Sequence, residues 1–139
     1  MLSQNTSILM SNLIYKNIND LVIGDLIRTI DRSYAKVIFI YSGINRIYNI
    51  ITNNFGIYKV TSNHKLALYN KEQYIIKTVE EIMKNKLYEQ MQGYILSSDY
   101  PILYNFTIEF DKIDIYYGFN LNTVDNRIII DNSIITYSK

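Results

Sequence analysis

Residues 57–64 read Ile57-Tyr58-Lys59-Val60-Thr61-Ser62-Asn63-His64, a β-branched and aromatic run followed at once by small polar residues and an imidazole. Such a run predicts a strand that ends near Thr61. His64 is the only histidine in the chain, and an imidazole can serve as a hydrogen-bond donor or general acid near neutral pH. A hydroxyl can orient a carbonyl group or stabilise an oxyanion. Thr61 and His64 are therefore a candidate pair, because a hydroxyl and an imidazole three residues apart, just past a strand, can both point at one peptide bond.

Most of the remaining chain has the pattern of short strands. Residues 46–52 and 57–60 flank Asn53-Asn54-Phe55-Gly56, which predicts a hairpin. Further strands are predicted at 35–45 (ending at Ser42-Gly43), 65–69, 73–76, 105–110, 113–121, 127–130 and 133–137, with a turn at 70–72 and a loop at Asp99-Tyr100-Pro101. The pattern predicts one domain over residues 1–139 with a mostly β fold of many short strands.

One segment has the pattern of a helix. Thr78 precedes an apolar-periodic stretch over 79–85, and Glu81 follows three residues later, which predicts a capping box. Val79, Ile82 and Met83 share one face at this spacing. We expect a short amphipathic helix that covers a sheet.

Composition excludes several classes of function. Charged residues make up 19% of the chain and the net charge is +1, so we expect no nucleic-acid partner. No apolar segment approaches the ~18 residues of a membrane span, and the start of the chain lacks a signal-peptide pattern, so we expect an intracellular location and no membrane partner. The chain has no cysteine and one histidine, which argues against disulfides, a thiol nucleophile, a zinc site or any other cofactor.

Two motifs precede residues 57–64 and two follow them. The chain opens with Met1-Leu2-Ser3-Gln4-Asn5-Thr6 and continues with Ile18-Asn19-Asp20-Leu21-Val22-Ile23-Gly24-Asp25. Downstream lie Tyr116-Tyr117-Gly118-Phe119-Asn120-Leu121 and the β-rich run 128–138. In this order the set resembles an intein, a self-excising protein-splicing domain of the Hint family, over essentially the whole chain. The distance from His64 to Tyr116 is too short for a homing endonuclease, so the resemblance is to a mini-intein.

The upstream motifs match the family closely. Leu2, Ser3 and Thr6 fit the motif that follows the first residue of an intein. Residues 18–25 match the phrase Ile-x-Asp-Leu-x-x-Gly-Asp at each fixed position. Independently of the resemblance, Gly24 is expected to supply a positive φ in a turn that Asp25 caps.

The resemblance implies roles for residues at both ends of the domain. Thr61 and His64 form its Thr-x-x-His motif, which acts at the N-terminal splice junction. Gly118 stands where many inteins carry Asp or Cys, and we expect it to permit close backbone approach in a strand. Asn126 stands where some inteins carry a helper histidine, and it can only form hydrogen bonds.

Four positions depart from the family pattern. Met1 replaces the first nucleophile, and a thioether has no proton to lose. Tyr137 and Ser138 replace the penultimate His and terminal Asn, so the side-chain amide that would cleave the chain is missing. Lys139 replaces the Cys, Ser or Thr that accepts the acyl group. The chain as written is therefore expected to be inactive, either as an engineered and trapped form or as a degenerate intein.

The resemblance implies a horseshoe-shaped Hint fold of many short strands with one or two short helices. Its two ends should lie close together, with Met1 beside His64, because excision needs both junctions in one site. The partners would be the flanking exteins of a host protein, joined in cis, and the location of the domain would follow that host. We expect a monomer.

Two other interpretations remain open. A hedgehog-like or bacterial intein-like Hint domain cleaves or transfers to a different acceptor, and the end Tyr137-Ser138-Lys139 is compatible with it. A non-catalytic β binding module is compatible with the missing nucleophiles and with the 14 tyrosines, since tyrosine is common at interfaces. A gene that places this segment inside a longer host protein would favour the intein.

Overall fold

The computed structural model describes residues 1–71, 73–86, 91–96, 102–123 and 125–139. Within these ranges the chain forms thirteen strands, one α helix and one turn of 3-10 helix at Ile18–Asp20. The strands are β1 Leu2–Ser3, β2 Ser7–Leu9, β3 Tyr15–Asn17, β4 Leu26–Arg28, β5 Tyr34–Thr52, β6 Ile57–Thr61, β7 Lys65–Asn70, β8 Gln73–Thr78, β9 Gln92–Ile95, β10 Ile102–Tyr104, β11 Phe106–Leu121, β12 Arg127–Ile130 and β13 Ile134–Tyr137, and the helix is α1 Val79–Asn85. No helix in these ranges is long and apolar enough to cross a membrane.

The first sheet brings the start of the chain between two distant strands. Its order is β11-β1-β6-β5-β4, and β11 also pairs with β5. Leu2 of β1 lies opposite Val60 on one side and opposite Tyr117 on the other. The strands β11, β1, β6 and β5 therefore pair in a ring, which fixes residue 1 at the end of β6.

The second sheet carries the end of the chain. Its order is β3-β2-β12-β13-β9-β7-β8, with β10 paired to β9. The last strand, β13, lies between β12 and β9 and is buried at Ile134, Ile135 and Thr136. A large apolar core joins the two sheets, because buried residues such as Leu2, Val60, Leu66 and Ile130 belong to one cluster.

Several predicted strands are correct. In two places, a pair of predicted strands forms one continuous, longer strand. The hairpins β5–β6 and β7–β8 are antiparallel as expected, and Gly56 has a φ of +78° in the first turn. The predicted break at Ser42-Gly43 is wrong, because β5 runs without interruption through both predicted segments. Strand β11 likewise joins the segments predicted at 105–110 and 113–121, and only its register shifts near Asp111.

The cause of the first error is the partner of Gly43. A Cβ at Gly43 would meet the hydroxyl of Tyr116 at 2.7 Å, so the glycine leaves room for an aromatic ring on the neighbouring strand. This packing does not interrupt the strand. Glu72 and the predicted loop Asp99-Tyr100-Pro101 lie outside the described residues.

Helix α1 begins as predicted, with a complete capping box. Thr78 accepts a hydrogen bond from the backbone of Glu81, and the Glu81 carboxylate accepts one from the backbone of Thr78. Val79 and Ile82 are buried in the core, and Met83 packs against it. The first two N–H groups of the helix bond to residues outside it. Val79 N–H donates to the His64 carbonyl at 3.2 Å, and Glu80 N–H donates to the Ser62 carbonyl at 2.8 Å. The start of the helix therefore holds the turn that follows β6.

The phrase at residues 18–25 forms the predicted turn. Gly24 has a φ of +97°, which favours glycine. The Asp25 carboxylate accepts the Val22 N–H at 3.0 Å and pairs with Lys16 at 2.8 Å. The turn is held against β5 by two backbone bonds, from the Gly24 N–H to the Val37 carbonyl at 2.8 Å and from the Val37 N–H to the Asp25 carbonyl at 2.9 Å.

Candidate functional site

Thr61 holds both backbone groups of the first residue. Its hydroxyl accepts a hydrogen bond from the Met1 amino group at 2.8 Å, and its own N–H donates to the Met1 carbonyl at 2.9 Å. The hydroxyl proton is directed away, because it donates to Asn63 Oδ1 at 2.7 Å. The lone pairs of Thr61 Oγ1 are thus turned towards the nitrogen of residue 1. Thr61 is fully buried.

His64 lies at the other end of the same turn and is also fully buried. Its N–H donates to the Thr61 carbonyl at 3.2 Å, which closes the turn. Its ring nitrogen Nε2 lies 2.7 Å from the hydroxyl of Thr136 on β13. Its other ring nitrogen, Nδ1, is buried and has no hydrogen-bond partner in the described part of the chain.

Burial determines the charge of this site. Removal from water lowers the pKa of His64 well below its usual value, and the nearby Met1 amino group lowers it further. Burial also lowers the pKa of the Met1 amino group to about 4. Both bases are therefore neutral at neutral pH. Thr61 connects them, because it hydrogen-bonds to the amino and carbonyl groups of Met1 and accepts the His64 N–H at its own carbonyl.

Ser138 lies at the end of the chain in a fully buried position. Its N–H donates to the Asn126 carbonyl at 2.9 Å, and its carbonyl accepts from the Phe119 N–H at 3.3 Å. Its hydroxyl has no hydrogen-bond partner among the residues described. The carbonyl of residue 138 is thus polarised by a backbone donor, whereas its side chain is held without a partner.

The remaining predicted positions surround this end of the chain. Tyr137 is half-buried opposite Arg127, and burial raises the pKa of its phenol. Arg127 is held by Asp125, with contacts of 3.0 Å from Nε and 2.7 Å from Nη2. Tyr137, exposed Lys139, Asn126 and Arg127 border a cavity of about 360 Å³. The backbone of Asn126 contacts Ser138, because the Asn126 carbonyl accepts the Ser138 N–H.

Gly118 makes room for a residue that contacts Met1. It pairs with Tyr41 across the β5–β11 ribbon, and a Cβ at Gly118 would lie 2.3 Å from Cζ of that ring. The Tyr41 hydroxyl donates to Met1 Sδ at 3.6 Å. Gly118 was expected to permit close backbone approach, whereas here it makes room for the side-chain ring of Tyr41.

Two unsatisfied atoms distinguish this site from the rest of the protein. In the described ranges, three buried side-chain polar atoms lack a hydrogen bond: Asn49 Oδ1, His64 Nδ1 and Ser138 Oγ. Such atoms are rare in native structures, and each has a cost of about 1–3 kcal/mol. Two of the three belong to positions that the sequence already singled out, one in the turn that holds residue 1 and one next to the last residue.

Sequence reasoning missed three side chains of this site. Asn63 orients the Thr61 hydroxyl, Tyr41 contacts Met1, and Thr136 contacts His64. Asn63 lies within the motif and could have been found there. No spacing links Tyr41 or Thr136 to their partners, because each contact joins strands that are far apart in the chain. No group of three or more His, Cys, Asp or Glu side chains suited to a metal occurs in the described residues.

Known proteins match this chain in structure but not in sequence. No protein-family model matches the sequence, and no curated protein sequence matches it. The search of solved structures finds a DnaB intein from Synechocystis sp. PCC 6803, with a TM-score of 0.76 at 17% identity, covering 99% of this chain and 98% of that one. The chain has the fold of a mini-intein. The gp41-1 intein matches with a TM-score of 0.76 at 16% identity over 98% of this chain and 96% of its own.

A third mini-intein agrees with these two. The MchDnaB-1 intein has a TM-score of 0.74 at 11% identity, and the match covers 99% of both chains. The prediction of a mostly β mini-intein fold is confirmed. Each of the three matches covers 98–99% of this chain.

Proposed function

We propose that this chain is a protein-splicing domain whose two junction sites are formed but lack their nucleophiles. In this account a host polypeptide precedes residue 1 and follows residue 138, and the domain excises itself and joins the flanking exteins. The observation that carries the proposal is the placement of residue 1. Thr61 hydrogen-bonds to its nitrogen and its carbonyl, and the same turn carries His64, whose Nδ1 has no hydrogen-bond partner in the described residues. The mini-intein fold supports it.

The first step would be an acyl shift at residue 1. A thiol or hydroxyl at that position attacks the carbonyl carbon of the preceding residue, the bond from that carbon to the nitrogen of residue 1 breaks, and the proton ends on the freed amine. The Thr61 hydroxyl would orient the nitrogen, and His64 would donate a hydrogen bond to it as it leaves. Met1 cannot attack, because its thioether carries no ionisable proton.

The last step would be cleavage after residue 138. A terminal Asn cleaves by attack of its side-chain amide on its own carbonyl, and the Phe119 N–H would stabilise the charge that develops on that carbonyl oxygen. Ser138 has no amide to attack with, Tyr137 is a poor proton shuttle near neutral pH, and Lys139 carries no acceptor oxygen or sulfur. The Asn126 position would contribute only hydrogen bonds.

A thiol-cleavage assay tests the first junction by itself. A reporter protein is fused before residue 1 of the Met1→Cys variant, and the fusion is treated with a small thiol. We expect release of the reporter, because the thiol captures the thioester that Cys forms at position 1. The matched controls are Met1→Ala, which folds alike but has no nucleophile, and Met1→Cys combined with His64→Ala, which should be slower by about 100-fold or more. An intact fusion in the soluble, folded Met1→Cys protein would contradict the proposal.

One observation favours a second candidate, a Hint domain that only cleaves itself. Ser138 is buried in the place of the terminal Asn, so the chain has no group to complete excision at its C-terminal end. In this case the Met1→Cys fusion would still release its reporter to an added thiol or sterol acceptor. Restoring the C-terminal residues would then give no joined exteins, and this outcome separates the two candidates.

A further inference from the structure

The strongest contact that the proposed chemistry does not assign is the one between His64 and Thr136. Nε2 and Oγ1 lie 2.7 Å apart, and both residues have no exposed surface. Thr136 lies on β13, two residues before Ser138, whereas His64 follows β6. The contact therefore joins the turn that holds residue 1 to the strand that carries the end of the domain.

Counting unsatisfied atoms decides which group donates. If Nε2 carries the proton and donates to Thr136, the buried Thr136 hydroxyl proton has no acceptor in the described part of the chain, and Nδ1 is left as an empty acceptor. If Thr136 donates to Nε2, the proton of the neutral ring is on Nδ1, and only that N–H lacks a partner. Each buried unsatisfied group has a cost of about 1–3 kcal/mol. The second arrangement leaves one such group and the first leaves two.

We propose that Thr136 is the positioning residue of His64: its hydroxyl donates to Nε2 and so keeps the proton of the neutral ring on Nδ1, the ring nitrogen that has no hydrogen-bond partner among the described residues. The effect of Thr136 on catalysis rests on the proposed function, whereas the tautomer assigned to His64 does not. A catalytic histidine needs a second group that sets its tautomer and orientation. Thr136 supplies that group from the last strand.

A hydroxyl suits this position better than a carboxylate or an apolar group. It donates to the bare Nε2 of a neutral ring and, after rotation, accepts from the N–H of a protonated ring. His64 can therefore gain and lose a proton without losing its partner. An added consequence follows from the topology: His64 is oriented correctly only when β13 is seated in its sheet, so chemistry at the first junction depends on the strand that carries the last.

The direct test is the protonation state of the His64 ring in the chain of residues 1–139. With ¹⁵N-labelled histidine, long-range ¹H–¹⁵N correlation spectra at neutral pH report which ring nitrogen carries the proton, and the single histidine removes any ambiguity of assignment. We expect one tautomer, protonated at Nδ1, in the wild-type protein and in Thr136→Ser. In Thr136→Val we expect a substantial population protonated at Nε2. A wild-type ring protonated at Nε2, or a Thr136→Val spectrum identical to wild type, would overturn the assignment.

The kinetic test uses the Met1→Cys reporter fusion and three threonine variants. Thr136→Val should slow thiol-induced release by on the order of 10- to 100-fold, since loss of orientation alone can have this effect. Thr136→Ser keeps the hydroxyl and should restore most of the rate. Thr29→Val removes another buried hydroxyl, one bonded to Asp31 and not part of this site, and should leave the rate unchanged.

The two tests separate failure of this inference from failure of the proposed function. If the Met1→Cys fusion does not cleave at all, the proposed function fails, and the ring spectra alone decide whether Thr136 positions His64. If the fusion cleaves and Thr136→Val cleaves as fast as Thr136→Ser, the function stands and the positioning role is refuted. Urea unfolding of each variant verifies that the compared proteins are folded.

Discussion

At the scale of single residues, the site is defined by a neutral imidazole held away from water. His64 is buried, one ring nitrogen is bonded to Thr136, and the other has no partner within the described ranges. A buried ring without a partner at Nδ1 destabilises the protein slightly, and this is the expected property of a group arranged to meet a substrate. The hydrogen bonds of Thr61 to residue 1 indicate what that substrate would be.

The burial of His64 predicts how stability depends on pH. Because burial lowers its pKa in the folded protein, only the unfolded chain takes up a proton as the pH falls below about 6.5. The free energy of unfolding should therefore fall with decreasing pH, with a contribution from His64 that approaches about 1.4 kcal/mol per pH unit. The Met1 amino group, with its pKa lowered to about 4, contributes with the same sign.

Urea unfolding between pH 7 and pH 5 measures this contribution when wild type is compared with His64→Gln. Both proteins share the Met1 amino group and all the carboxylates, so these cancel in the difference between the two slopes. We expect the variant to lose less stability on acidification than wild type. Equal slopes would mean that His64 is accessible to protons in the folded state and that the site is not closed as described.

At the scale of secondary-structure elements, helix α1 supports the site through its first turn. Helices leave their first N–H groups without intrahelical partners. Here the capping box uses the Glu81 N–H, while Val79 and Glu80 donate to the carbonyls of His64 and Ser62. The helix therefore holds both ends of the turn that carries His64.

This arrangement predicts that Thr78→Ala affects stability and the site together. Loss of an N-cap hydroxyl should lower the free energy of unfolding by about 1 kcal/mol, measured in urea. It should also broaden or shift the ring signals of His64, because the first turn of the helix loosens. Glu80→Ala is the matched control, since the Glu80 side chain has no part in the capping box. If Thr78→Ala behaved like Glu80→Ala, the helix would not be a support for the turn.

The sequence pattern was sufficient to predict the elements whose contacts are local in the chain. The hairpins β5–β6 and β7–β8 and the capped helix depend on turn residues and on the spacing of apolar residues, which can be read in sequence. Six short strands were not predicted: β1, β2, β3, β4, β9 and β10. Three of them, β1, β2 and β9, pair with strands from distant parts of the chain, which local pattern cannot show. The length of β5 was not predicted, because Gly43 has the pattern of a strand break. Its role is to leave room for the ring of Tyr116, which comes from a distant strand.

The candidate site was predictable to a similar extent. Thr61, His64 and the placement of residue 1 followed from the motif and its resemblance to an intein. Tyr41 and Thr136 could not be found from spacing, since each reaches the site from another strand. The functional roles of the site residues stay predictions, as does the extent of the domain over residues 1–139; these residues are Thr61, His64, Met1, Tyr137, Ser138, Lys139 and Asn126.

At the scale of the whole molecule, the fold brings both ends of the chain to adjacent strands. Residue 1 lies between β6 and β11, and residue 138 lies against Phe119 of β11 and, through β13, close to His64. Two mini-inteins among the structural matches cover this chain and are covered by it almost completely. A domain that must cut and join at both of its ends needs this arrangement, whereas a binding module does not.

We propose that this fold splices once its nucleophiles are present. The most direct test places the chain with Met1→Cys, Tyr137→His, Ser138→Asn and Lys139→Ser between two reporter proteins and identifies the products by mass. The same precursor with His64→Ala is the control for spontaneous cleavage. The account predicts joined reporters together with a free excised domain, and neither product from the control. A soluble, folded precursor that stays intact would contradict the account and would favour a β domain that serves only in binding.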